Sequence, residues 1–396
     1  MDSKSFVSRK LINVLFVSIF RALRKTGYAD LMLHDGRAPY WLVSRMERLA
    51  KAILKVMVDE YGETEVLRRL SDPLWFQALS CALAYDWDSS GTTTVVCGVL
   101  KAALEKEDLG LKAAGGKGRL SNEAPKELLK ISRQFDISEE DTLRLQYASR
   151  MTAKVDNAAI QAGYRLYHHT IYVSKYGEWC VIQQGMNPEL RTARRYHWLS
   201  KNVSSFVDEP HEGIVGSIVH KNVLDMTAKE SEGCRKASTD LVKEPTSKIE
   251  RLYESLRLKS QESLNKWLSN KNFEEPEYVV EFRLNPKAMN WKALAQLYEF
   301  QPRNYEEVLA CQGIGPATVR GLALISELIF GEKASWRDPV KYSFAFGGKD
   351  GVPFPVKRKE YDEAIATLEA SIHKARLGER DRLYALRRLR AYVNPS

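Results

Sequence analysis

Side chains that can do chemistry are concentrated between Lys154 and His211. Four of the seven histidines lie in this stretch, together with an aspartate, paired glutamines and paired arginines. Those side chains are Asp156, His168, His169, Gln183, Gln184, Arg194, Arg195, His197 and His211. Imidazole, carboxylate and guanidinium groups can transfer protons, bind a metal ion or hold a phosphate. The stretch is therefore the first candidate for a catalytic site.

The paired residues fall in segments rich in aromatic and β-branched side chains, Tyr167–Val173 and Trp179–Gln183, which indicates two neighbouring β-strands. Successive side chains of a strand point to opposite faces of the sheet. We therefore expect one histidine of the pair His168 and His169, and one glutamine of the pair Gln183 and Gln184, to line a pocket. The other member of each pair would face the core or water.

Two catalytic interpretations of this cluster stay open. In the first, Asp156, His169 and His211 hold a divalent metal such as Mg²⁺ or Mn²⁺, which activates water against a phosphodiester. In the second, a histidine acts without metal as general acid or base. The catalytic candidates are Asp156, His168, His169, Gln184, His197 and His211. Adjacent Arg194 and Arg195 would hold phosphate, because a guanidinium fork fits that anion.

A non-catalytic interpretation is also open for the same residues. They would then form a polar, aromatic surface for nucleic acid, or the histidines would be hydrogen-bonded within the core. The sequence contains no His-Glu-x-x-His metal motif. The second predicted strand carries paired glutamines where many nucleases carry Glu-x-Lys.

A second motif, Gly313-Ile314-Gly315-Pro316, predicts a tight turn between two helices within Tyr305–Phe330. It resembles the helix-hairpin-helix of DNA-repair and replication proteins, with Val319 in place of the usual small residue. Such a turn presents backbone N–H groups at a helix N-terminus, where they can hold a phosphate. The resemblance implies sequence-independent DNA binding. The candidate contacts are Gly313, Ile314, Gly315, Thr318 and Arg320.

Further cations are candidates for contacts with the nucleic-acid backbone. Lys117 and Lys349 lie in two short loops of the type Gly-Gly-Lys, and Arg387 and Arg388 belong to a basic C-terminal segment. Neither loop has the spacing of an ATP-binding Walker A motif. Without a nucleic-acid partner, the two loops would be ordinary exposed turns, and the basic C-terminal segment would be a helix face exposed to solvent.

Asp338 offers a third hypothesis, a DNA glycosylase without lyase activity. Glycosylases built on a hairpin of this kind carry an aspartate roughly twenty residues after the Gly-x-Gly turn, where it stabilises the sugar cation that forms as the base leaves. The resemblance is incomplete, because the familiar Asp-Thr-x-Val here reads Asp-Pro-Val-Lys. Ala317 replaces the lysine of the lyase-type members, which argues against a Schiff base.

A predominantly helical α+β fold is expected to position these groups. Helical spacing dominates both ends of the chain, and strand-like segments lie in the centre. We predict an N-terminal extension (1–25), a mainly helical domain (26–150), a central α/β region with the polar cluster (151–245), an amphipathic helix or connection (246–275) and a helical hairpin domain (276–396). The extension is interpreted as an extra helix or an early start codon.

Composition limits the partners and the compartment. The chain has 396 residues, a net charge of +9 and an isoelectric point of about 9.1, which favours a polyanionic partner. Five scattered cysteines without a Cys-x-x-Cys pair argue against a disulfide framework and a thiolate zinc site. No segment is long and apolar enough to predict a membrane span. We expect a cytoplasmic protein.

From Lys25 to the C-terminus the chain resembles an uncharacterised prokaryotic family, the domain of unknown function 763. The matching segments are Thr26–Asp30, His34–Pro39, Ser89–Thr93, Gly115–Gly118, Ala153–Asn157, Tyr167–His169, Gln183–Asn187, Ala193–Trp198, Glu209–His211 and Phe346–Gly351. The resemblance implies no particular activity.

The leading hypothesis is a DNA-processing or repair protein, nuclease-like, that hydrolyses phosphodiesters while the hairpin grips the backbone. A non-enzymatic DNA-binding protein is the alternative. DNA is the expected partner, and RNA stays open, as do the oligomeric state and the need for a metal.

Overall fold

Runs of aromatic and β-branched residues form a central antiparallel sheet. The computed structural model describes residues 25–27, 40–83, 90–256, 288–340, 358–375 and 377–393. The main strands are β1 (Lys25–Gly27), β2 (Leu111–Lys117), β4 (Arg165–Ser174), β5 (Trp179–Asn187), β6 (Thr192–Leu199) and β7 (Gly213–Gly216), in the order β1-β7-β6-β5-β4-β2. Among the described strands, only β1 pairs in parallel, with β7. Two short strands, β3 (Ile160–Gln161) and β8 (Leu224–Asp225), pair separately.

Helices precede, interrupt and follow the strands. They are α1 (Tyr40–Ser71), α2 (Pro73–Ala82), α3 (Ser90–Glu105), α4 (Ala124–Gln134), α5 (Glu139–Lys154), α6 (Glu232–Leu241), α7 (246–256), α8 (Trp291–Phe300), α9 (Tyr305–Ala310), α10 (Pro316–Phe330), α11 (Arg358–Lys374) and α12 (Glu379–Val393). Asp72, Ser138, Asn290 and Asn304 cap four of them through side-chain oxygens. The α+β, predominantly helical class predicted from the sequence is confirmed.

Each face of the sheet packs against its own set of helices. Tyr172 and Ile182 belong to a core with helices α1–α3, α11 and α12. Ile171 and Val181, their neighbours in sequence, belong to a second core with α4–α10. Alternate side chains of one strand therefore enter different cores, as the two-residue period of a strand requires. The sheet is thus buried on both faces, and polar residues on it need partners inside the protein.

Among the residues that the structure describes, no helix is long and apolar enough to cross a membrane. Residues 1–24 and Lys349 lie outside the described ranges. The five-part division of the chain stays a prediction.

The glycine run at the end of β2 is shaped by close backbone packing. Gly115 has a φ of +92°, and a Cβ built there would lie 2.2 Å from the carbonyl oxygen of His169. Its own carbonyl accepts a hydrogen bond from Lys101, and its N–H donates to Glu127. Gly118 also has a positive φ, +60°, but open space surrounds its Cβ position. The run therefore has a structural function.

Gly115→Ala should destabilise the protein much more than Gly118→Ala. Both alanines meet the strain of a positive φ, of order 1–2 kcal/mol, but only the first collides with backbone. We expect a loss of at least ~3 kcal/mol for Gly115→Ala against ~1 kcal/mol for Gly118→Ala. Urea unfolding of the two variants measures the difference, and equal losses would contradict this packing.

Candidate functional site

The sheet separates the predicted polar cluster into two groups. His169 pairs with Gln183, which pairs with Tyr196, and these side chains share the face that packs on α5. His168, Gln184 and His197 occupy the opposite face. The prediction that adjacent histidines and adjacent glutamines point apart agrees with this register.

Asp156 is the centre of the first group. It lies in a π-turn, Val155–Ala159, that continues α5, and its side chain is fully buried. Its Oδ2 accepts hydrogen bonds from Gln183 Nε2 at 2.5 Å and from Trp198 Nε1 at 3.0 Å. Its Oδ1 lies 2.5 Å from His211 Nε2. Burial raises the pKa of Asp156 above its ordinary value, while His211 and the other donors oppose that rise.

These contacts fix the orientation of the next two side chains. Because Gln183 turns its amide nitrogen towards Asp156, its oxygen faces His169 Nδ1 at 2.8 Å and must accept from it. Nδ1 therefore carries the proton, and Nε2 is left as an acceptor. Ser149 Oγ lies 2.8 Å from that Nε2 and donates to it. Burial lowers the pKa of His169 to about 4, so the imidazole is neutral at pH 7.

The result is a continuous series from Ser149 through His169 and Gln183 to Asp156, which we call the relay. Its serine and histidine line an open pocket of about 430 Å³ between α5, β4 and the turn after β2. Arg150, Lys154, Asn122, Asn157 and Tyr167 also line this pocket. A polar pocket that contains a serine bonded to an oriented neutral histidine can support nucleophilic or general-base chemistry.

Ser149 was missed by the sequence analysis, although one signal was available. It precedes Asp156 by seven residues, which is two helical turns and so the same face of α5. Gln183 was recognised as a polar strand residue without a role. Its function as an orienting link depends on a contact with a residue 27 positions away, which periodicity cannot reveal.

Gln184, His168 and His197, three of the predicted catalytic residues, are buried. Gln184 is buried, accepts from Thr93, and donates to Tyr167 and to the carbonyl of Ser90 at 2.8 Å. His168 bonds to Thr170, and burial lowers its pKa to about 3.

His197 is fully buried edge-on against Phe76, and burial lowers its pKa well below its ordinary value. Gln184 and His197 therefore contact α3 and α2 on the face of the sheet away from Asp156. His168 also lines the pocket described above.

The side chains of Arg194, Arg195 and Asp338 are also buried, which argues against the predicted DNA contacts of the two arginines and against the predicted catalytic role of Asp338. Arg194 donates to Asp338 Oδ2 at 2.7 Å, and both side chains are 0% exposed. The Asp338 carboxylate also accepts from the backbone of His220 and Val340. Arg195 donates to Gln77 and lies over a phenylalanine ring. None of the three can reach a phosphate or a sugar in this arrangement.

The three metal-ligand candidates do not form one ligand set. Gln183 lies between His169 and Asp156, so only Asp156 and His211 are in direct contact. Throughout the described ranges, no group of three His, Cys, Asp or Glu side chains is placed to hold a metal ion. The predicted site of Asp156, His169 and His211 is therefore not formed.

The helical hairpin has the predicted arrangement. Helices α9 and α10 flank the turn, Ile314 is fully buried between them, and Gly313 adopts a φ of +90°. A Cβ on Gly313 would lie 2.6 Å from Asn290 Nδ2, whereas a Cβ on Gly315 would meet nothing within 4 Å. Gly315 is the N-cap of α10. The backbone at Gly315 therefore borders open space.

The hairpin turn is fastened to both ends of the π-turn. Before it, Lys154 Nζ donates to the carbonyl of Cys311 at 3.3 Å. After it, Gln161 Nε2 donates to the carbonyl of Pro316 at 2.8 Å and accepts from Arg320 at 3.1 Å. The element that inserts Asp156 into the sheet thus also supports the hairpin.

Several predicted DNA contacts can be placed individually. Thr318 is buried and its Oγ1 accepts from the backbone of Asn290, so its side chain stabilises the hairpin and does not face a ligand. Arg320 is half-buried, whereas Lys117 and Arg387 are exposed. Arg388 donates to the carbonyl of Ala82. The exposed cations Lys117 and Arg387 remain candidates for contacts with DNA phosphates.

The chain belongs to a family described as a protein of unknown function, DUF763, whose model matches residues 27–356. This confirms the resemblance found in the sequence. No curated protein and no solved structure matches the chain significantly.

Replacing Asp156 tests its central position. Asp156→Ala leaves the N–H groups of Gln183, Trp198 and His211 buried without an acceptor, and we expect a loss of ~3–5 kcal/mol. Asp156→Asn keeps an oxygen for two of them, and its amide can donate to the other tautomer of His211, so the loss should stay below ~2 kcal/mol. Urea unfolding followed by tryptophan fluorescence measures both. Similar losses would contradict the hydrogen-bond pattern.

Acid should unfold the protein through its buried histidines. Burial lowers the pKa of His168 and His169 to about 3 and about 4, and that of His197 well below 6.5. The unfolded chain takes up protons near pH 6.5, but the folded chain does so only at lower pH. The contribution of these histidines to the free energy of unfolding is therefore complete above pH 6.5. Below pH 6.5 it falls by ~1.4 kcal/mol per pH unit for each histidine.

Asp156, whose pKa is raised, contributes with the opposite sign as a carboxyl group, since the folded state holds its proton more tightly. The direct measurement is the slope of unfolding free energy against pH between 6 and 4.5. It should decrease in His168→Gln and His169→Gln by one histidine's share. An unchanged slope in both would contradict the assignment.

Proposed function

We propose that this protein binds the DNA backbone through the hairpin and processes the bound DNA in the neighbouring pocket. One observation carries the proposal. The turn with exposed backbone around Gly315 is bonded through Lys154 to the α5 segment that lines the pocket. The hairpin would thus bind one part of a DNA strand while the pocket acts on the adjacent part.

The shape of the turn supports a contact with phosphate. Ile314 points inward, so the backbone of the flanking glycines faces outward at the start of α10. The first N–H groups of a helix lack partners within the helix and carry partial positive charge, which suits an anion. The open space at the Gly315 Cβ position leaves room for that anion. Contacts of this kind read no base, so binding would be independent of sequence.

Charge supports the same assignment. Arg150 is exposed beside the pocket, Lys154 lies between pocket and hairpin, and the whole chain carries +9. The acids at the start of α9 are engaged elsewhere: Glu306 accepts from Tyr147 and from the backbone of Phe206, and Glu307 from the backbone of Arg303. Phosphates would meet cations along this side of the protein.

The processing reaction that we favour is hydrolysis of a phosphodiester. The alternative, a DNA-binding protein without catalysis, is supported by the burial of most predicted catalytic residues. The buried ion pair between Asp338 and Arg194 argues against a glycosylase that uses this carboxylate. A reducing, cytoplasmic setting agrees with the five free cysteines.

Gly315→Val tests the grip. The valine should be accommodated without a clash, because the position borders open space, and should fill the volume assigned to phosphate. We expect at least a ~10-fold loss of affinity for duplexes of unrelated sequence, equal for each, with a smaller salt dependence than wild type. Fluorescence anisotropy over a salt series measures both quantities.

Gly98→Val is the matched control. Gly98 is exposed on α3, against the other face of the sheet, and its Cβ position is equally open. It should bind DNA as wild type does. Gly313→Val is unsuitable, because its side chain would strike Asn290. If folded Gly315→Val binds DNA with unchanged affinity, the hairpin is not the DNA-binding element. If RNA competes better than DNA for the protein, RNA and not DNA is the partner.

A further inference from the structure

We propose that Ser149 is the nucleophile of this protein and that His169 is its base, acting on a phosphodiester of the bound nucleic acid without a metal ion. The inference rests on the proposed function for its substrate. The assignment of nucleophile and base rests on the relay alone. Neither the family nor the sequence motifs assign a role to Ser149.

The geometry is that of an activated hydroxyl. Ser149 Oγ lies 2.8 Å from His169 Nε2, and Gln183 Oε1 holds Nδ1 at 2.8 Å on the other side of the ring. A serine, a histidine and an orienting acceptor in series form the arrangement that activates serine in unrelated hydrolases. Here the third member is an amide oxygen. It holds the tautomer without adding a negative charge beside the ring.

The orientation of that amide is itself enforced. Gln183 cannot rotate by 180° about its amide, because its nitrogen would leave Asp156 and its oxygen would face the carboxylate. Trp198 Nε1 can only donate, so Asp156 Oδ2 accepts from Trp198 as well as from Gln183. Asp156 and Gln183 are therefore positioning residues for His169.

Access distinguishes this serine from one that merely fills the core. Ser149 and His169 line the 430 Å³ pocket, although both are otherwise buried. The other polar groups of the pocket suit an anionic ester: Arg150 and Lys154 are cations, and Asn122 and Asn157 carry amide donors. Lys154 also reaches the hairpin, so a strand gripped there passes this pocket. An uncharged acyl ester would not need these cations.

The reaction balances with water as the only other reactant. His169 Nε2 takes the Ser149 proton as Oγ forms a bond to phosphorus and the bond from phosphorus to one sugar oxygen breaks. The protonated His169 returns that proton to the departing oxygen. His169 then removes a proton from water, which attacks phosphorus, and Ser149 leaves with the proton. The products are two shorter strands, and the enzyme is restored.

Two measurements test the nucleophile on the full chain. The first is labelling by a fluorophosphonate, which would phosphonylate Ser149 Oγ with loss of fluoride; peptide mass spectrometry locates the label. Ser149→Ala should lower labelling at least ~100-fold. Ser121→Ala is the matched control: Ser121 lines the same pocket, but its hydroxyl donates to the carbonyl of Gly118 and has no base. Labelling of Ser121→Ala should stay within about two-fold of wild type.

The second measurement is an acid-quenched reaction with labelled single-stranded and duplex oligonucleotides, in EDTA, analysed on a denaturing gel. A covalent protein–DNA band, absent in Ser149→Ala and present in Ser121→Ala, is the expected result. Gln183→Leu should reduce the rate of adduct formation while leaving DNA affinity unchanged, because it releases the histidine ring and touches no substrate.

The outcomes separate the two proposals. DNA binding without fluorophosphonate labelling or a covalent band overturns the role of Ser149 and leaves the proposed function standing. Labelling of Ser149 together with hydrolysis of 4-nitrophenyl acetate, but no DNA binding, keeps the nucleophile and overturns the phosphodiester. Cleavage of DNA that persists in folded Ser149→Ala assigns the chemistry to another group and overturns the inference.

Discussion

The buried carboxylate of Asp156 is the interaction on which the site depends. A carboxylate removed from water is very unfavourable unless donors surround it. Here those donors come from three separate parts of the chain: Gln183 on β5, Trp198 on β6 and His211 in the loop before β7. Satisfying this one group therefore fixes two strands and a loop relative to the end of α5. The π-turn follows from the same requirement, because it places Asp156 against the sheet at the end of the helix.

Because the sheet is buried on both faces, its polar residues either bond to partners inside the protein or line a pocket. Arg194 is held with Asp338 as a fully buried ion pair, and Gln184 connects β5 to the start of α3. Both are costly to leave unpartnered, so they specify how neighbouring elements pack. The relay differs from them because two of its own members, Ser149 and His169, line a pocket, whereas Arg194 and Gln184 do not. That difference, and not the presence of histidines, singles it out as the candidate site.

The sequence revealed local features better than pairings between distant residues. Alternation of side chains in the strands, the inward Ile314 and the tight turn at Gly313 all follow from local backbone rules, and the structure has them. Composition could not show that Arg194 and Arg195 are buried, since arginines are usually exposed. The spacing of Ser149 from Asp156 suggests a shared helix face but does not identify a base for the serine. Its partner His169 comes from a strand 20 residues away, so only the fold reveals the pair.

The π-turn joins the two halves of the proposed site more rigidly than a loop would. Its interior side is held by the carboxylate of Asp156, and its two ends are bonded to the hairpin through Lys154 and Gln161. Movement of the hairpin relative to the pocket would have to break these bonds or withdraw a carboxylate from its donors. Because the latter is strongly unfavourable, the proposed function implies that a strand bound at the hairpin would keep a constant register relative to Ser149. On this proposal, a protein that reads no bases would still act at a fixed distance from the phosphate that the hairpin binds.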